Sequence, residues 1–592
     1  MRRHNREKAS GGERHRDAGG APPAPEAGAQ GASPRSRWAR WGSSLARALP
    51  LILLSALSGL LVFLSFPPAD LGPLAFIAFV PLLVALARVP TYGSAARCGM
   101  AAAAVGYLPA FTWIASVAVP GWLAVALYVG LYLVGVSMVV RFLQRRFPAA
   151  WPLMAAFLWA GQELFRARLG PGFPWLFLGY TQYKSSGLVQ LAAWGGVYSV
   201  SFVVFLVNAS VAAVVIGALA GGERRKRLLT ACATLAAAIG LVVACAAAGS
   251  AAKERVAMVQ GPVVGVIQQN IPRFVSDIFS AEKAPGDSDR ERENEIRTAA
   301  LLTAGLRGTG ARLAVWPEST VSVPLNLKPE QIVYKPALEL LEQTVRYLSG
   351  LGKEINCYFL VGAPYYLAPK VTGSVLYGVE ATPEFGNSAV FLSPDGRLLG
   401  HYDKIHLVPF GEYIPLRRAL PFLQALTPIP REISAGKEEV VFSLPGAGAG
   451  HAVHFSALVC YEDVFPDLCS AFRRKGAQFL VNVTEEGWYY IPGELRQHLA
   501  MAVFRAVETR TTVVRAANTG ISCFINPRGE VYAALEPLTR GQLSAPVQLS
   551  SDITPYVEHG DAFGIACLML AIFLPPFLIA LSGQGGPQAP RP

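Results

Sequence analysis

The sequence predicts a helical membrane protein of about eight spans that carries one α/β domain outside the cytoplasm. Three observations predict it. Only 16% of the 592 residues are charged and 52% are hydrophobic, with a mean hydropathy of +0.36. A soluble chain carries about 25% charged residues, and the deficit here lies in apolar runs long enough to cross a bilayer. Lys and Arg gather in alternate loops between those runs. One long stretch, residues 257–552, instead alternates short apolar runs with helical segments.

Residues 1–46 mix Arg, Gly, Ala, Pro and Glu and bury no core, so they are expected to be a disordered basic cytoplasmic tail. The run from Leu49 to Phe66 is long for a cleaved signal peptide and is taken as a retained first span. Apolar runs near 73–88, 98–116, 122–140, 149–164, 191–218 and 228–249 complete a transmembrane domain of about seven helices over 47–250. A final helix follows at 561–583, with a short cytoplasmic tail at 584–592. Arg88 and Arg97, then Arg141, Arg145 and Arg146, then Arg224, Arg225, Lys226 and Arg227 fill the second, fourth and sixth loops. The loops at Pro67–Asp70 and Val119–Gly121 carry no Lys or Arg. The basic loops fall on the side of the basic N-terminus, which the positive-inside rule makes cytoplasmic. The fifth loop, with Arg166, Arg168 and Lys184, departs from the pattern but is long. The net charge of +12 is thus orientation charge and not a nucleic-acid surface. Eight cysteines without a C-x-x-C pair give no zinc or thioredoxin-like pattern, and no metal or cofactor is expected.

Within 257–552, strand-like runs fall at Val263–Ile267, Leu313–Trp316, Tyr358–Val361, Ala389–Leu392, Ala457–Val459, Phe479–Val483, Thr511–Ala516 and Ile521–Ile525. Helical segments fit 289–307, 336–350, 466–475 and 494–509. Ser393-Pro394-Asp395-Gly396 and Asn526-Pro527-Arg528-Gly529 each follow a strand and fit hairpins. Continuous apolar strands alternating with helices mean sheets covered by helices.

Three segments in this stretch carry chemistry. Cys460 ends an apolar run and opens Tyr461-Glu462-Asp463, at the start of an expected helix whose first-turn N–H groups would lower a thiol pKa. A buried structural cysteine is the alternative. Glu318 follows Trp316-Pro317 at a strand end, a place for a general base or for a solvated loop carboxylate. Lys404 lies in Lys404-Ile405-His406, where its ammonium could stabilise an oxyanion or simply pair with Glu412. His406 offers a Cys–His dyad instead, without a spacing that supports it.

Glu318, Lys404 and Cys460, in that order, resemble the Glu-Lys-Cys triad of the nitrilase superfamily. Gly172-Phe173-Pro174-Trp175 with Gly179-Tyr180, Gln269-Asn270-Ile271-Pro272, Gly386-Asn387-Ser388, Lys404 to Glu412, Cys460-Tyr461-Glu462 and Asn518-Thr519-Gly520 resemble its membrane branch, the apolipoprotein N-acyltransferases. The resemblance runs from about 49 to 583. It implies a nitrilase-like αββα sandwich on the periplasmic face of a bacterial inner membrane, in a multi-pass monomer. It implies a ping-pong acyltransferase with Glu318 as general base, Lys404 as oxyanion stabiliser and Cys460 as nucleophile. Glu412, Glu462, Tyr461 and Asn387 match supporting positions. The implied acyl donor is a phospholipid of the bilayer, and the acceptors are diacylglyceryl-cysteine lipoproteins. Thr484-Glu485-Glu486-Gly487-Trp488 departs from the family's Asn-Asp-x-Trp, and Asp277 and Phe279 stand where the family has a tryptophan nearby.

Two other readings compete. A membrane-anchored nitrilase or amidase would share the triad, but a tether needs one span. A transporter would place ionisable residues inside several spans, and apart from Glu163 there are almost none.

Overall fold

The computed structural model describes residues 34–220, 224–272, 287–332, 334–367, 385–422, 432–448, 451–488 and 492–583. The chain divides into two units, Met1–Pro50 and Leu51–Pro592. The described residues of the first are helical, because α1 (Pro34–Ser65) begins there. Residues 34–46 are therefore not the unstructured tail that composition suggests. Pro34 suits a first helical turn, and the Arg, Ala and Leu residues after it are good helix formers. Residues 1–33, Asp277, Phe279 and the tail at 584–592 lie outside the described residues.

Among the described residues, six further α-helices precede the α/β domain: α2 (Val80–Arg88), α3 (Tyr92–Ala110), α4 (Val119–Arg146), α5 (Trp151–Arg168), α6 (Ala192–Ala218) and α7 (Arg224–Arg255). Among the described residues, five segments are long and apolar enough to cross a membrane: Ala48–Ser65, Val119–Arg146, Leu188–Ala218, Arg225–Arg255 and Ala562–Leu581. The expected second span at 73–88 is not one helix. It is a 3-10 turn (Gly72–Phe76) followed by the nine-residue α2. Pro81 has no N–H and its ring disfavours a helix running through residue 77. Asn208 of α6 serves the freed backbone, accepting from Phe79 N at 2.8 Å and donating to Ala75 O at 2.7 Å. Such a break survives in an apolar layer only when its polar groups are met from within the protein. Glu163 is also a fixed structural group, accepting from Trp159 Nε1 at 2.9 Å and Leu178 N at 2.8 Å.

Among the described residues the α/β domain has twelve strands, in two six-stranded sheets. The first sheet contains β1 (Val259–Gln268), β2 (Leu313–Trp316), β3 (Tyr358–Tyr366), β4 (Phe385–Leu392), β5 (Leu398–Asp403) and, from far along the chain, β12 (Gly541–Leu549). The second contains β6 (Phe442–Gly448), β7 (His451–Val459), β8 (Phe479–Thr484), β9 (Thr512–Ala517), β10 (Cys523–Ile525) and β11 (Val531–Ala534). Helices α8 (Asp287–Ala304), α9 (Lys335–Ile355), α10 (Pro466–Arg474) and α11 (Pro492–Thr509) fall where the sequence places them. Both predicted hairpins form, β4–β5 and β10–β11.

Strand alternation sets the layers. In β2, Leu313 and Val315 join one core with Phe391, Phe455 and Ala457, between the sheets. Their neighbours Ala314 and Trp316 join another, with Ile296 and Ala299 of α8 and Leu340 and Leu341 of α9. In the second sheet Leu458, Asn482 and Arg515 stand in register. After β12 come α12 (Pro555–His559) and α13 (Ala562–Gly583).

One end of the helix bundle meets this domain. Ser116 Oγ donates to Trp488 O at 3.2 Å, and Gln497 Nε2 donates to Pro67 O at 3.0 Å and Ala110 O at 3.3 Å. Helix α6 is broken at Gly195 and Gly196, whose φ/ψ are not helical. A Cβ on Gly196, at φ 65°, would lie 2.6 Å from the Tyr556 ring. The N–H that the break frees at Val197 donates to Glu508 Oε1 of α11 at 2.9 Å. At the other end of the bundle the basic loops meet one another: Arg141 Nη1 donates to Ala87 O and Arg145 Nη2 to Pro90 O.

Candidate active site

Three strand ends converge between the sheets. Glu318 follows β2, Lys404 follows β5 and Cys460 follows β7. Cys460 and Ser319 both hold left-handed backbone, at φ 55°. Side-chain sterics disfavour that region for a non-glycine residue, and such strain concentrates at functional sites.

Glu318, Lys404, Glu412 and Asn387 form one bonded group. Lys404 is 1% exposed, and its Nζ donates to Glu412 Oε1 at 2.9 Å and lies 3.6 Å from Glu318 Oε1. Asn387 Nδ2 donates to Glu318 Oε1 at 2.6 Å and to Glu412 Oε1 at 3.0 Å. The remaining oxygens take backbone donors: Glu485 N to Glu318 Oε2, and Val408 N to Glu412 Oε2. Burial alone would lower the Lys404 pKa, but Glu412 and then Glu318 raise it well above the ordinary value, so the ammonium is charged.

Cys460 keeps partial exposure. Its thiol pKa is raised well above the ordinary value, by burial first and then by the Glu318 carboxylate, with Lys404 opposing. This corrects the expectation of a lowered pKa. The sulfur opens a five-residue 3-10 turn, Cys460–Val464, and not a long helix, so a weak N-terminal field is outweighed by desolvation. The resting thiol carries its proton and feels the charge of the Glu318 carboxylate.

Glu462 is fully buried and clamps two segments together. Its Oε1 accepts from Tyr402 Oη, Ile405 N and His406 N, and its Oε2 from Val459 N at 2.8 Å. Burial pushes its pKa up to about 7 against those donors. The clamp ties the turn after Lys404 to the turn at Cys460. Tyr461 points elsewhere: its Oη donates to Gly172 O at 3.3 Å, and its ring lies 6.4 Å from Trp175. A Cβ on Gly172, at φ 72°, would lie 2.2 Å from Ala167 O. His406 does not support a dyad, since its ring stacks on Phe465 at 4.0 Å and its charged neighbours are Asp467 and Arg168.

Beneath the Cys460 turn lies a polar core that the sequence does not announce. Asn482 Nδ2 donates to Cys460 O at 3.2 Å and Asp463 Oδ2 at 2.6 Å. Asp463 in turn bonds Arg515 and His498 Nε2, and Arg515 and His498 both reach Glu486 Oε1. Glu486, Glu494 and His498 are close enough to share a metal ion. Their charge is already matched by Arg515 and by His498, whose pKa Asp463 lifts to about 9 against burial. Nothing in the spacing of residues 463, 482, 498 and 515 signals this cluster; only the register of β8 with β9 joins Asn482 to Arg515.

Family models match in two parts: an apolipoprotein N-acyltransferase N-terminal domain over residues 58–210, and carbon-nitrogen hydrolase over 255–553. The chain is 33% identical over 539 residues to the apolipoprotein N-acyltransferase of Geobacter metallireducens, covering 87% of this chain and 93% of that one. This chain belongs to the apolipoprotein N-acyltransferase family. The Chlorobaculum tepidum apolipoprotein N-acyltransferase is 29% identical over 531 residues, covering 88% and 94%. Among solved structures, Saccharomyces cerevisiae Nit3, of branch 10 of the nitrilase superfamily, aligns with 52% of this chain and 95% of its own at 19% identity and a TM-score of 0.33. The N-acyltransferase match ends within α6 and the hydrolase match begins at Arg255, the last residue of α7, so α7 is the helix that joins the two matched parts.

Proposed function

We propose that this protein is a membrane acyltransferase that moves an acyl chain from a phospholipid, through a Cys460 thioester, to the N-terminal α-amine of diacylglyceryl-cysteine apolipoproteins. Glu318 takes the Cys460 S–H proton, and the thiolate attacks the carbonyl carbon of the phospholipid ester. Lys404 stabilises the tetrahedral oxyanion. The C–O bond breaks, Glu318 returns the proton to the departing alkoxide, and lysophospholipid leaves. The lipoprotein amine then attacks the thioester, gives a proton to Glu318, and expels the thiolate as the amide forms. Asn387 and Glu412 are positioning residues, holding Glu318 and Lys404 apart and aligned. Glu462 fixes the nucleophile turn to the Lys404 turn, and Tyr461 joins that turn to the membrane half.

The observation that carries this reading is the wall that the membrane half gives to the site. Gly172 and Trp175, on the loop after α5, pack against Tyr461, next to Cys460. A hydrolase on a tether has no use for such a wall. The loop after Lys404 also exposes Phe410, Leu416 and Phe422, with Arg417 and Arg418 beside them, a composition that suits contact with acyl chains and headgroups. The reading includes eight crossings. The transmembrane domain spans 47–250, the catalytic domain 257–552 lies on the periplasmic face of the inner membrane, and the final helix spans 561–583. It is supported by the meeting of the first, third and fifth loops with the α/β domain, while the Arg-rich loops gather at the far end. The protein acts as a monomer, without cofactor.

Labelled phospholipid and a diacylglyceryl-cysteine peptide test the assignment. Transfer of label to the peptide amine should require Cys460, with Cys460→Ala inactive and Cys460→Ser nearly so, because a hydroxyl is a far weaker nucleophile. Normal transfer by Cys460→Ala would reject it.

A further inference from the structure

At the end of the bundle away from the α/β domain, α4, α5, α6 and α7 leave a cavity of about 390 Å³, within the size range of small-ligand sites. Its lining is of two kinds. Trp151, Ile216 and Ala231 make apolar walls, while Arg141, Lys226 and Arg227 contribute three cations. No acidic residue lines it among the described residues. Arg141 is 7% exposed; its Nη1 donates to Ala87 O at 3.1 Å, and its Nε has no partner among the described residues. Gln144, three residues on, donates to Leu83 O and leaves its own oxygen unpartnered. A buried guanidinium with so little compensation is costly unless an anion meets it. On α7, which forms one wall, the rest of the protein leaves most of the apolar, membrane-length stretch within Arg225–Arg255 uncovered, and Leu229, Ile239 and Val243 are exposed, so hydrocarbon chains can lie against the helix that carries two of the cations.

We infer that this cavity is a binding site for an anionic phospholipid, its phosphate held by Arg141, Lys226 and Arg227 and its chains lying along α7. Basic pockets between membrane helices are fitted to lipid phosphates, and the apolar walls, beside a membrane-length helix left uncovered, commit the site to a lipid and not to free phosphate. The site is separate from the acyl-donor site, because Cys460 belongs to the opposite end of the bundle. It rests on the proposed topology only in being assigned to the cytoplasmic leaflet.

The test is lipid retention by full-length Cys460→Ala protein, which cannot turn over donor lipid. Purified from detergent, it is titrated with phosphatidylglycerol or phosphatidylcholine and the bound lipids are counted by native mass spectrometry. One phosphatidylglycerol should be held in preference to phosphatidylcholine. Lys226→Gln with Arg227→Gln, both exposed, should weaken it roughly 25-fold, about fivefold per charge. Ile216→Trp, which fills the cavity and removes no charge, should also expel it. Arg141→Gln should weaken it further, with the melting temperature checking its fold. Equal retention of the two lipids, retention unchanged in both the double-Gln and Trp variants, or displacement by millimolar inorganic phosphate would each overturn the inference. Acyl transfer by the same variants with Cys460 restored reports separately on the proposed enzyme function, and cysteine labelling reports on the leaflet.

Discussion

Lys404 is hydrogen-bonded to Glu412, at 2.9 Å, and stands off from Glu318, at 3.6 Å. The ammonium thus has a resident counter-ion that is not the proposed base, which leaves Glu318 able to accept a proton. Removing Glu412 would free Lys404 to close on Glu318 and would leave a buried cation short of a partner. Glu412→Ala should slow single-turnover acylation of Cys460 and destabilise the domain by roughly 3–5 kcal/mol. Glu318→Gln and Lys404→Ala should each block acylation itself, by on the order of 10²–10⁴-fold for the base. Normal thioester accumulation by either would reject its role.

Asn387 donates to both carboxylates from one nitrogen. Asn387→Asp replaces that donor with a third carboxylate against Glu318 and Glu412, whereas Asn387→Ala only leaves them unsupported. The Asp variant should therefore be the slower of the two in acylation, by roughly tenfold or more given the cost of like charges in contact. Equal rates would show that Asn387 does not position the pair.

The polar core beneath the Cys460 turn sets a pH dependence of stability. Burial acts against the charged His498, but Asp463 raises its pKa to about 9 from an ordinary 6.5. Its contribution is present in full below about 6.5 and is lost as pH rises through about 9. Glu494, raised by burial and then by Glu486 to about 8, also keeps its proton longer in the folded state, so its sign is the same. The melting temperature of the purified protein should fall between pH 6.5 and 9, and His498→Gln should lose most of that slope. A wild-type profile that is flat or rises across this window would contradict the assignment.

The proposed topology gives a labelling contrast. Lys335 opens α9 with its side chain 84% exposed, and Gly93 lies in the first turn of α3, beside the second loop, where a Cβ meets only Thr91 Oγ1 at 3.9 Å. In cells with a permeabilised outer layer, a membrane-impermeant thiol reagent should label Lys335→Cys and not Gly93→Cys. The reverse pattern would place the catalytic domain on the cytoplasmic side. Gly436 is a poor site for such a probe, because a Cβ there would meet Asp403 O at 2.1 Å.

The parts of this fold that were legible in the sequence are those whose cause is local. Apolar runs ending in Trp316-Pro317-Glu318 and Val459-Cys460 mark strand ends, and Pro-Asp-Gly and Pro-Arg-Gly mark hairpins, because each depends on neighbours in the chain. Strands β6 and β12 have no apolar run or turn that announces them, and β5 and β11 are announced only by their hairpin turns, because all four are edge strands. Leu398-Leu399-Gly400-His401 is partly exposed and lacks a continuous apolar run. The break before α2 depends on Asn208, far along the chain. The core of Asp463, His498 and Arg515 depends on strand register and helix packing. The order Glu318, Lys404, Cys460 was readable as a resemblance, but the bonding of Lys404 to Glu412 and the raised thiol pKa follow from burial, which sequence does not show.

The most direct test of the account is the fate of the acyl group when phospholipid is supplied without an acceptor. An acyltransferase must keep water from its thioester until the amine arrives. Incubated with acyl-labelled phospholipid alone, the protein should accumulate a hydroxylamine-labile acyl group on Cys460 that persists. It should be discharged to an amide by a diacylglyceryl-cysteine peptide and left in place when that peptide's α-amine is blocked. Continuous release of fatty acid in the absence of acceptor, with no persistent label on Cys460, would contradict the account and identify a hydrolase.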